Sequence, residues 1–351
     1  MERRDFFKKM GLFTAMLGIG GKLKAQDAKP AEKTAEPPKE TDTKITFLGT
    51  AHGAVTPTRF HSATLLQVGG KNYLIDAGDA VCGQLTKNGL FLPDLNTIFI
   101  THPHLDHFGG LFMLIQQWLF HKQIYPKRVK EGAHLDVYLG GQDFVDTLKA
   151  VRKGYYRSDK YPAITALHAF QPGEIYNDGN IKVTAYGNDH MGRRKTDNSQ
   201  IASSFLFECA NGKKIFFSGD LSREYDLPLD GIKGGVDLLV SELVHYPLQK
   251  AIDRLKDQPI KKIFFSGDLS REYDLPLDGI KGGVDLLVSE LVHYPLQKAI
   301  DRLKDQPIKK ICFQHHGDTW ERPGWEKRFA DFSAKLTSPA EIVRDNDVRF
   351  V

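Results

Sequence analysis

Cysteine is scarce in this sequence: Cys82, Cys209 and Cys312 are the only three among 351 residues. They are odd in number, far apart and never spaced C-x-x-C, which excludes a disulfide framework and a thiolate zinc site. Any bound metal must therefore be held by histidine and carboxylate. Long apolar runs are missing too. The longest candidate, Met10 to Gly21, is too short to span a bilayer comfortably. Excess positive charge is missing from most of the chain. The net charge is +4, and the first 25 residues hold all of it, with Arg3, Arg4, Lys8, Lys9, Lys22 and Lys24 against Glu2 and Asp5. Residues 26–351 are formally neutral, which argues against binding long RNA or DNA, where a basic surface supplies most of the affinity. No nucleic-acid partner is expected.

What is present begins with a charged segment, a short apolar stretch and Lys22-Leu23-Lys24-Ala25, the layout of a signal peptide over residues 1–25. Arg3-Arg4-Asp5-Phe6-Phe7-Lys8 resembles a twin-arginine signal, although Glu2 departs from that pattern and Sec export stays open. Either route implies the export machinery as a partner and a periplasmic or otherwise exported protein. Residues 26–44 contain no large apolar side chain and read as a disordered linker, because they cannot bury enough surface to offset ordering entropy. The folded body is expected over residues 45–351.

Short strands come first: Ile45–Leu48, then Ala63–Val68 and Asn72–Asp76 around Gly69-Gly70, then Thr97–Thr101. An apolar helix is expected from Leu111 to about His121, a strand over His134–Leu139, a helix over Phe144–Arg152 and a strand over Ile181–Tyr186 that ends in a turn containing His190. Ser204–Cys209, Asn211-Gly212 and Lys213–Ser218 form the clearest hairpin. Residues 213–260 then recur unchanged as 261–308. Two identical copies do not make a solenoid, whose repeats diverge and number three or more. One copy suffices for the domain, and the other, either the first or the second, is expected as an extra strand–strand–helix unit within it.

The chemistry is concentrated in Thr101-His102-Pro103-His104-Leu105-Asp106-His107. Two histidines at i and i+2 just past a strand can point at one ion, while Asp106 and His107 in the following turn can face a second. Imidazole and carboxylate suit zinc, manganese or iron. Strand before and Gly109-Gly110 with a helix after supply the context such a motif needs.

On these residues the chain resembles the metallo-β-lactamase-fold hydrolases, an α/β class built as a four-layer αββα sandwich. Further matching pieces are Phe47-Leu48-Gly49-Thr50, Leu74-Ile75-Asp76-Ala77-Gly78, Asn188-Asp189-His190, Phe217-Ser218-Gly219-Asp220 and Phe313-Gln314-His315. Arg59-Phe60-His61-Ser62 is similar to the branch containing ribonuclease Z, arylsulfatase-like and class II cyclic-nucleotide phosphodiesterase-like enzymes. The resemblance implies two divalent metal ions: one held by His102, His104 and His190, the other by Asp106, His107 and His315, with Asp220 bridging. Asp106 would also be a catalytic carboxylate. Asp220 competes with its copy Asp268, and His315 with His316. Ser241 stands where several relatives carry a histidine, and His245 or its copy His293 is the candidate general acid in its place. Arg193 and Arg194 could grip an anionic substrate group.

The expected activity is hydrolysis of a small anionic ester, a phosphodiester or a sulfate ester, by metal-activated water. Lactone or β-lactam hydrolysis uses the same metal chemistry. A protein whose site the duplication has disabled is the reading from another class.

Overall fold

Near-continuous apolar runs of five or six residues, such as Ile45-Thr46-Phe47-Leu48 and Ala63-Thr64-Leu65-Leu66, suit strands covered on both faces. The computed structural model places them in the middle of a sandwich. It describes residues 43–51, 53, 59–155, 165–195, 197–242, 248–255 and 257–266, and beyond these the segments 287–290, 311–314, 340–342 and 348–350 with a few positions between 327 and 334. The signal peptide expected over residues 1–25 and the linker expected over 26–44, apart from Thr43 and Lys44, lie outside the described residues, as do His245, His293, Asp268, His315 and His316.

The first sheet contains β1 (Lys44–Gly49), β2 (Ala63–Val68), β3 (Lys71–Ile75), β4 (Leu95–Phe99), β5 (Leu135–Gly140) and β6 (Thr165–Phe170), with β16 (Val348–Phe350) beside β1. The β2–β3 pair is antiparallel around Gly69 and Gly70, both at positive φ, while β3 to β6 run parallel. Four helices lie among these strands: α1 (Val81–Lys87), α2 (Leu105–Phe108), α3 (Leu111–Ile124) and α4 (Gln142–Tyr155). Leu85, Leu114, Trp118, Phe144 and Leu148 pack on the outward side chains of this sheet, Ile98 and Val137 among them. Trp118 is fully buried and its indole N–H donates to the Leu95 carbonyl at 3.1 Å, so its one polar atom is satisfied.

The second sheet contains β7 (Gly173–Asn177), β8 (Ile181–Arg193), β9 (Gln200–Cys209), β10 (Lys214–Phe217) and β11 (Leu238–Glu242), then β12 (Ile263–Ser266), β13 (Leu287–Glu290), β14 (Ile311–Gln314) and β15 (Ala340–Ile342). The helix α5 (Leu248–Leu255), with Ala251 and Leu255 buried, links the parallel strands β11 and β12. Between the two sheets sits an aromatic core. Phe99 meets Phe207 edge-on at 5.4 Å, and Phe207 meets Phe217 at 5.5 Å. Both cores share the first sheet as their wall, which fixes the ends of β3, β4, β8 and β10 against one another.

One expectation changes. The β8 strand does not stop at Tyr186: it continues to Arg193, and a register irregularity against β9 between Asn188 and Arg193 lets it bend while staying paired. His190 is therefore on a strand and not in a turn after one. The duplicated segment contributes strands to the second sheet. Its strands β12 and β13 are inserted into the sheet between β11 and β14, and its helix lies outside the described residues.

Candidate metal centre

The site forms where the parallel strands end, the usual location of a crevice in open α/β sheets. The backbone leaving β3 places Asp76 at φ 59, a conformation uncommon for a residue other than glycine. From there the carboxylate accepts the Thr101 backbone N–H at 2.8 Å and the Thr101 hydroxyl at 3.0 Å, and holds His107 Nδ1 at 2.7 Å. One buried carboxylate thus ties the end of β4 to the histidine run. Two glycines make the close approaches possible. A Cβ on Gly78 would meet the Asp106 carbonyl at 2.4 Å, and one on Gly219, which has φ +58, would come within 3.0 Å of Thr101.

Four groups converge. His102 Nε2 and His190 Nε2 lie 3.0 and 3.2 Å from His104 Nδ1. Asp220 Oδ2 is 3.8 Å from His102 Nε2 and 3.6 Å from His190 Nε2, and one ligand atom from each of the four residues lies within 4.8 Å of all the others. A second cluster adjoins it: His107 Nε2 is 3.3 Å from Asp220 Oδ1 and 3.7 Å from Asp106 Oδ2. Asp220 faces both groups, one oxygen to each.

Hydrogen-bond accounting decides what those nitrogens carry. His190 Nδ1 lies 3.1 Å from the Leu221 carbonyl, which only accepts, so that nitrogen holds the proton and Nε2 of the neutral ring is a bare acceptor. The Thr101 hydroxyl donates to Asp76 and so accepts from His102 Nδ1 at 3.0 Å. His102 Nε2 is then bare as well. Two acceptors face His104 Nδ1, which has at most one proton to share, and a carboxylate stands beside them. The donor set of three imidazoles and a carboxylate fits zinc, manganese or iron.

The charges agree. Burial pushes His102 well below the ordinary imidazole value, and neighbouring histidines add to this against the pull of Asp220, so the ring is neutral and ready to ligate. Burial also opposes charge on His107, but Asp220 and Asp76 outweigh it and raise His107 well above its ordinary value. Burial would raise Asp220, yet His107 followed by His102 and His190 hold it well below the usual carboxylate range. Stripped of metal by a chelator, the His107–Asp220 pair therefore stabilises the fold over a window. The His107 contribution is complete below the ordinary imidazole value and is lost as pH rises through its raised value. The Asp220 contribution is present above the ordinary carboxylate value and is lost as pH falls through its lowered one. A metal occupying the His107 side must displace that proton, whereas His102 has none to lose. Calorimetric titration at pH 7 in buffers of different ionisation enthalpy is expected to show about one proton released as His107 becomes a ligand. Heat independent of the buffer throughout would mean that His107 is neutral beforehand.

Other groups orient the centre. Asn188 donates to Ser204 Oγ at 3.2 Å and accepts the His190 backbone N–H at 3.1 Å, fixing the bend in β8. Glu242 accepts the Leu221 backbone N–H at 2.8 Å and lines the same cleft as Thr50, Ser62, Asp106, His107 and Asp220. Ser241 is fully buried, with its hydroxyl 3.1 Å from Tyr225 Oη. Sequence reasoning gave no role to Asp76, Thr101 or Asn188. The signal was there in two of them, a polar residue directly after an apolar strand.

One expectation is corrected. Arg194 does not present its guanidinium to a substrate: it is 8% exposed, and its donors are taken by Asp143 at 2.9 Å, the Gln200 carbonyl at 2.8 Å, Ser199 Oγ at 3.3 Å and the Gly140 carbonyl. It clamps the β8–β9 loop onto the end of β5. Arg193 is half exposed, donating to the Asn198 carbonyl at 3.0 Å and lying 3.8 Å from the Asp189 carboxylate. Arg194→Ala is expected to lower stability by about 1–3 kcal/mol, the cost of leaving buried carbonyls unpaired, with KM for an anionic ester unchanged. Denaturant melts and steady-state kinetics check both halves.

Two layered sheets between helices, with this histidine and aspartate cluster at the strand ends, define a metallo-β-lactamase fold with a divalent-metal site. Residues 43–241, more than half of the 351, match the family described as Anti-Pycsar protein Apyc1, and the chain belongs to that family. Among curated proteins it is similar to the ribonuclease Z of Nostoc punctiforme, 27% identical over 198 residues, which are 53% of this chain and 58% of that protein. The chain spans about half the length of the curated relatives it matches. Among solved structures, a long form RNase Z from yeast superposes with a TM-score of 0.54 at 16% identity, covering 85% of this chain and 44% of that one. A diphosphatase from the PhnP family superposes at 0.52 with 15% identity, covering 89% and 98%. Likeness at such identities speaks for the fold alone.

Proposed function

We propose that this chain is a metal-dependent phosphodiesterase acting on a small anionic phosphodiester. One observation carries the reading: one ligand atom each from His102, His104, His190 and Asp220 lies within 4.8 Å of all the others, a donor set that could hold a divalent cation. Two ions, zinc first with manganese or iron compatible, are the proposed complement, with Asp220 shared between them. Bound there, they supply Lewis-acid polarisation of a phosphoryl oxygen and an acidified water for in-line attack. The chain's own part is to hold the donors without reorganisation. Asp76 keeps the His107 proton on Nδ1, Leu221 does the same for His190, and buried His102 stays neutral. Arg193, half exposed, is the proposed contact for a second negative group.

The choice of phosphodiester over sulfate ester, lactone or β-lactam draws on the ribonuclease Z relatives, whose name concerns a phosphodiester-bonded polymer. A small substrate is preferred over long RNA because residues 26–351 carry no net charge. We also propose export through the paired-arginine segment, to be checked by fractionating cells that make the chain with and without residues 1–25; equal retention in the cytoplasm would end that part.

The decisive experiment supplies zinc- and manganese-loaded protein with chromogenic phosphodiester, phosphomonoester, sulfate ester and lactone substrates, and with a labelled RNA. Turnover of the diester at least about tenfold faster than the others is the expected outcome. Preferential hydrolysis of the sulfate ester or lactone would reassign the substrate class, and loss of all turnover with metal still bound would favour a non-catalytic protein.

A further inference from the structure

Just past β10 the chain supplies two groups of the metal centre, the Asp220 carboxylate and the Leu221 carbonyl that accepts the His190 Nδ1 proton. Acids tie this backbone down. The Leu221 N–H donates to Glu242 at 2.8 Å, and the next one along, the Ser222 N–H, donates to Asp226 Oδ1 at 2.7 Å. Asp226 is brought there by Tyr225, a buried residue at φ 52 whose N–H donates to the Ser222 carbonyl at 2.9 Å and whose hydroxyl lies 3.1 Å from Ser241 Oγ. A left-handed backbone is uncommon for a bulky side chain and persists only where its surroundings fix it. An aspartate that merely closed its own loop would account for the Oδ1 contact. It would not account for Oδ2, which accepts the N–H of Asp189, 37 positions away and directly before His190.

The Leu221 carbonyl and the Ser222 N–H belong to one peptide group. That group joins Asp226 to the His190 ring, carboxylate to N–H on one side and carbonyl to Nδ1–H on the other. Hydrogen bonds in such a chain polarise one another, so the negative charge at one end makes the carbonyl a stronger acceptor at the other. A ring whose Nδ1 proton is held firmly keeps its Nε2 lone pair for a cation and is a more basic ligand. We propose that Asp226 is a positioning residue for His190, acting on the ring through the Leu221–Ser222 peptide and on β8 through the Asp189 N–H. This rests on the metal-centre reading above and goes beyond it by giving the acidic loop after β10 a function.

The test compares the parent chain with Asp226→Asn by Zn²⁺ titration against a competing chelator, and by NMR of the histidine ring nitrogens in the metal-free proteins. An amide has one accepting oxygen and no charge, so either Ser222 or Asp189 loses its partner. The step that fills the His102, His104, His190 and Asp220 group is the one that His102→Ala abolishes. It comes first, because a metal on the His107 side must displace a proton. Asp226→Asn is expected to weaken this first step about 10- to 100-fold and the second step less, and to shift His190 from the Nδ1–H tautomer towards Nε2–H. A merely structural role would lower the melting temperature and leave the tautomer as it is. An unchanged first step, both steps weakened alike, or a weakened first step with the His190 tautomer unchanged overturns the proposal. Should Asp226→Asn fail to fold, Asp226→Ser gives the same contrast, since its hydroxyl can still accept the Ser222 N–H without the charge. A parent chain that retains no ion would instead remove the metal-centre reading itself.

Discussion

Alanine at both His102 and His104 is expected to abolish retained metal and to lower kcat/KM for a phosphodiester by about 10³-fold or more. The magnitude follows from the chemistry. Metal polarisation supplies several kcal/mol of transition-state stabilisation, and each 1.36 kcal/mol is about tenfold in rate. His102 Nε2 and His104 Nδ1 are 3.0 Å apart, and both face Asp220 and His190, so removing two of these four donors leaves that half of the centre unable to hold an ion. Thermal melts separate this from loss of fold. A ligand present at 100 times its Kd raises stability by about 2.7 kcal/mol. The parent protein should gain that increment from zinc and the double variant should not, while their melts in chelator differ only by what the lost imidazole packing costs. Metal content and turnover left unaltered by the double substitution would remove the foundation of the functional reading.

The histidine run could be read directly from the sequence because its ligands are contiguous and bracketed by an apolar strand and a glycine pair. Local pattern and local geometry coincide there. Asp220 was legible for a related reason: it follows a β10 strand fixed by the Asn211-Gly212 hairpin, and its Oδ1 lies 3.3 Å from His107. Where the determinant is a contact between distant segments, the sequence offers no such help. Arg193-Arg194-Lys195 looks like a solvated charge run, yet the return of the chain from Arg193 to Gln200 turns Arg194 inward onto Gly140 and Asp143. Its neighbour stays half exposed, so two adjacent arginines have different roles. The strand β8 was cut short for a similar reason. Gly187-Asn188-Asp189 has turn composition, but pairing of Gly187 with Ser203 and of Asn188 with Ala202 keeps it extended, tertiary pairing overriding local propensity. The duplication was plain as a repeat, but its placement between β11 and β14 depends on which strand edge is open, and that is a property of the sheet.

Asp76 shows how far a residue that touches no ligand position can govern the centre, and Asp76→Asn is expected to weaken metal binding about 10- to 100-fold. The carboxylate accepts from three donors, the Thr101 N–H, the Thr101 hydroxyl and His107 Nδ1. An amide has one accepting oxygen and an NH₂ group that can only donate. If the oxygen stays with the Thr101 backbone N–H, the NH₂ faces His107 Nδ1 and forces that nitrogen to become the acceptor. The ring proton then moves to Nε2, where the lone pair for the metal has to be, the same tautomer error that asparagine causes beside a catalytic histidine. The effect should fall on the His107 half of the centre. His102 keeps its Nδ1 contact with Thr101, and His190 keeps its own with Leu221. Chelator competition resolving the two binding steps is therefore the right measurement. The second step should weaken more than the first, and the proton released on metal binding at pH 7 should diminish, because the removal of one negative neighbour lowers the raised His107 value. Equal weakening of both steps would mean that Asp76 acts by holding the Thr101 backbone and not through the tautomer of His107.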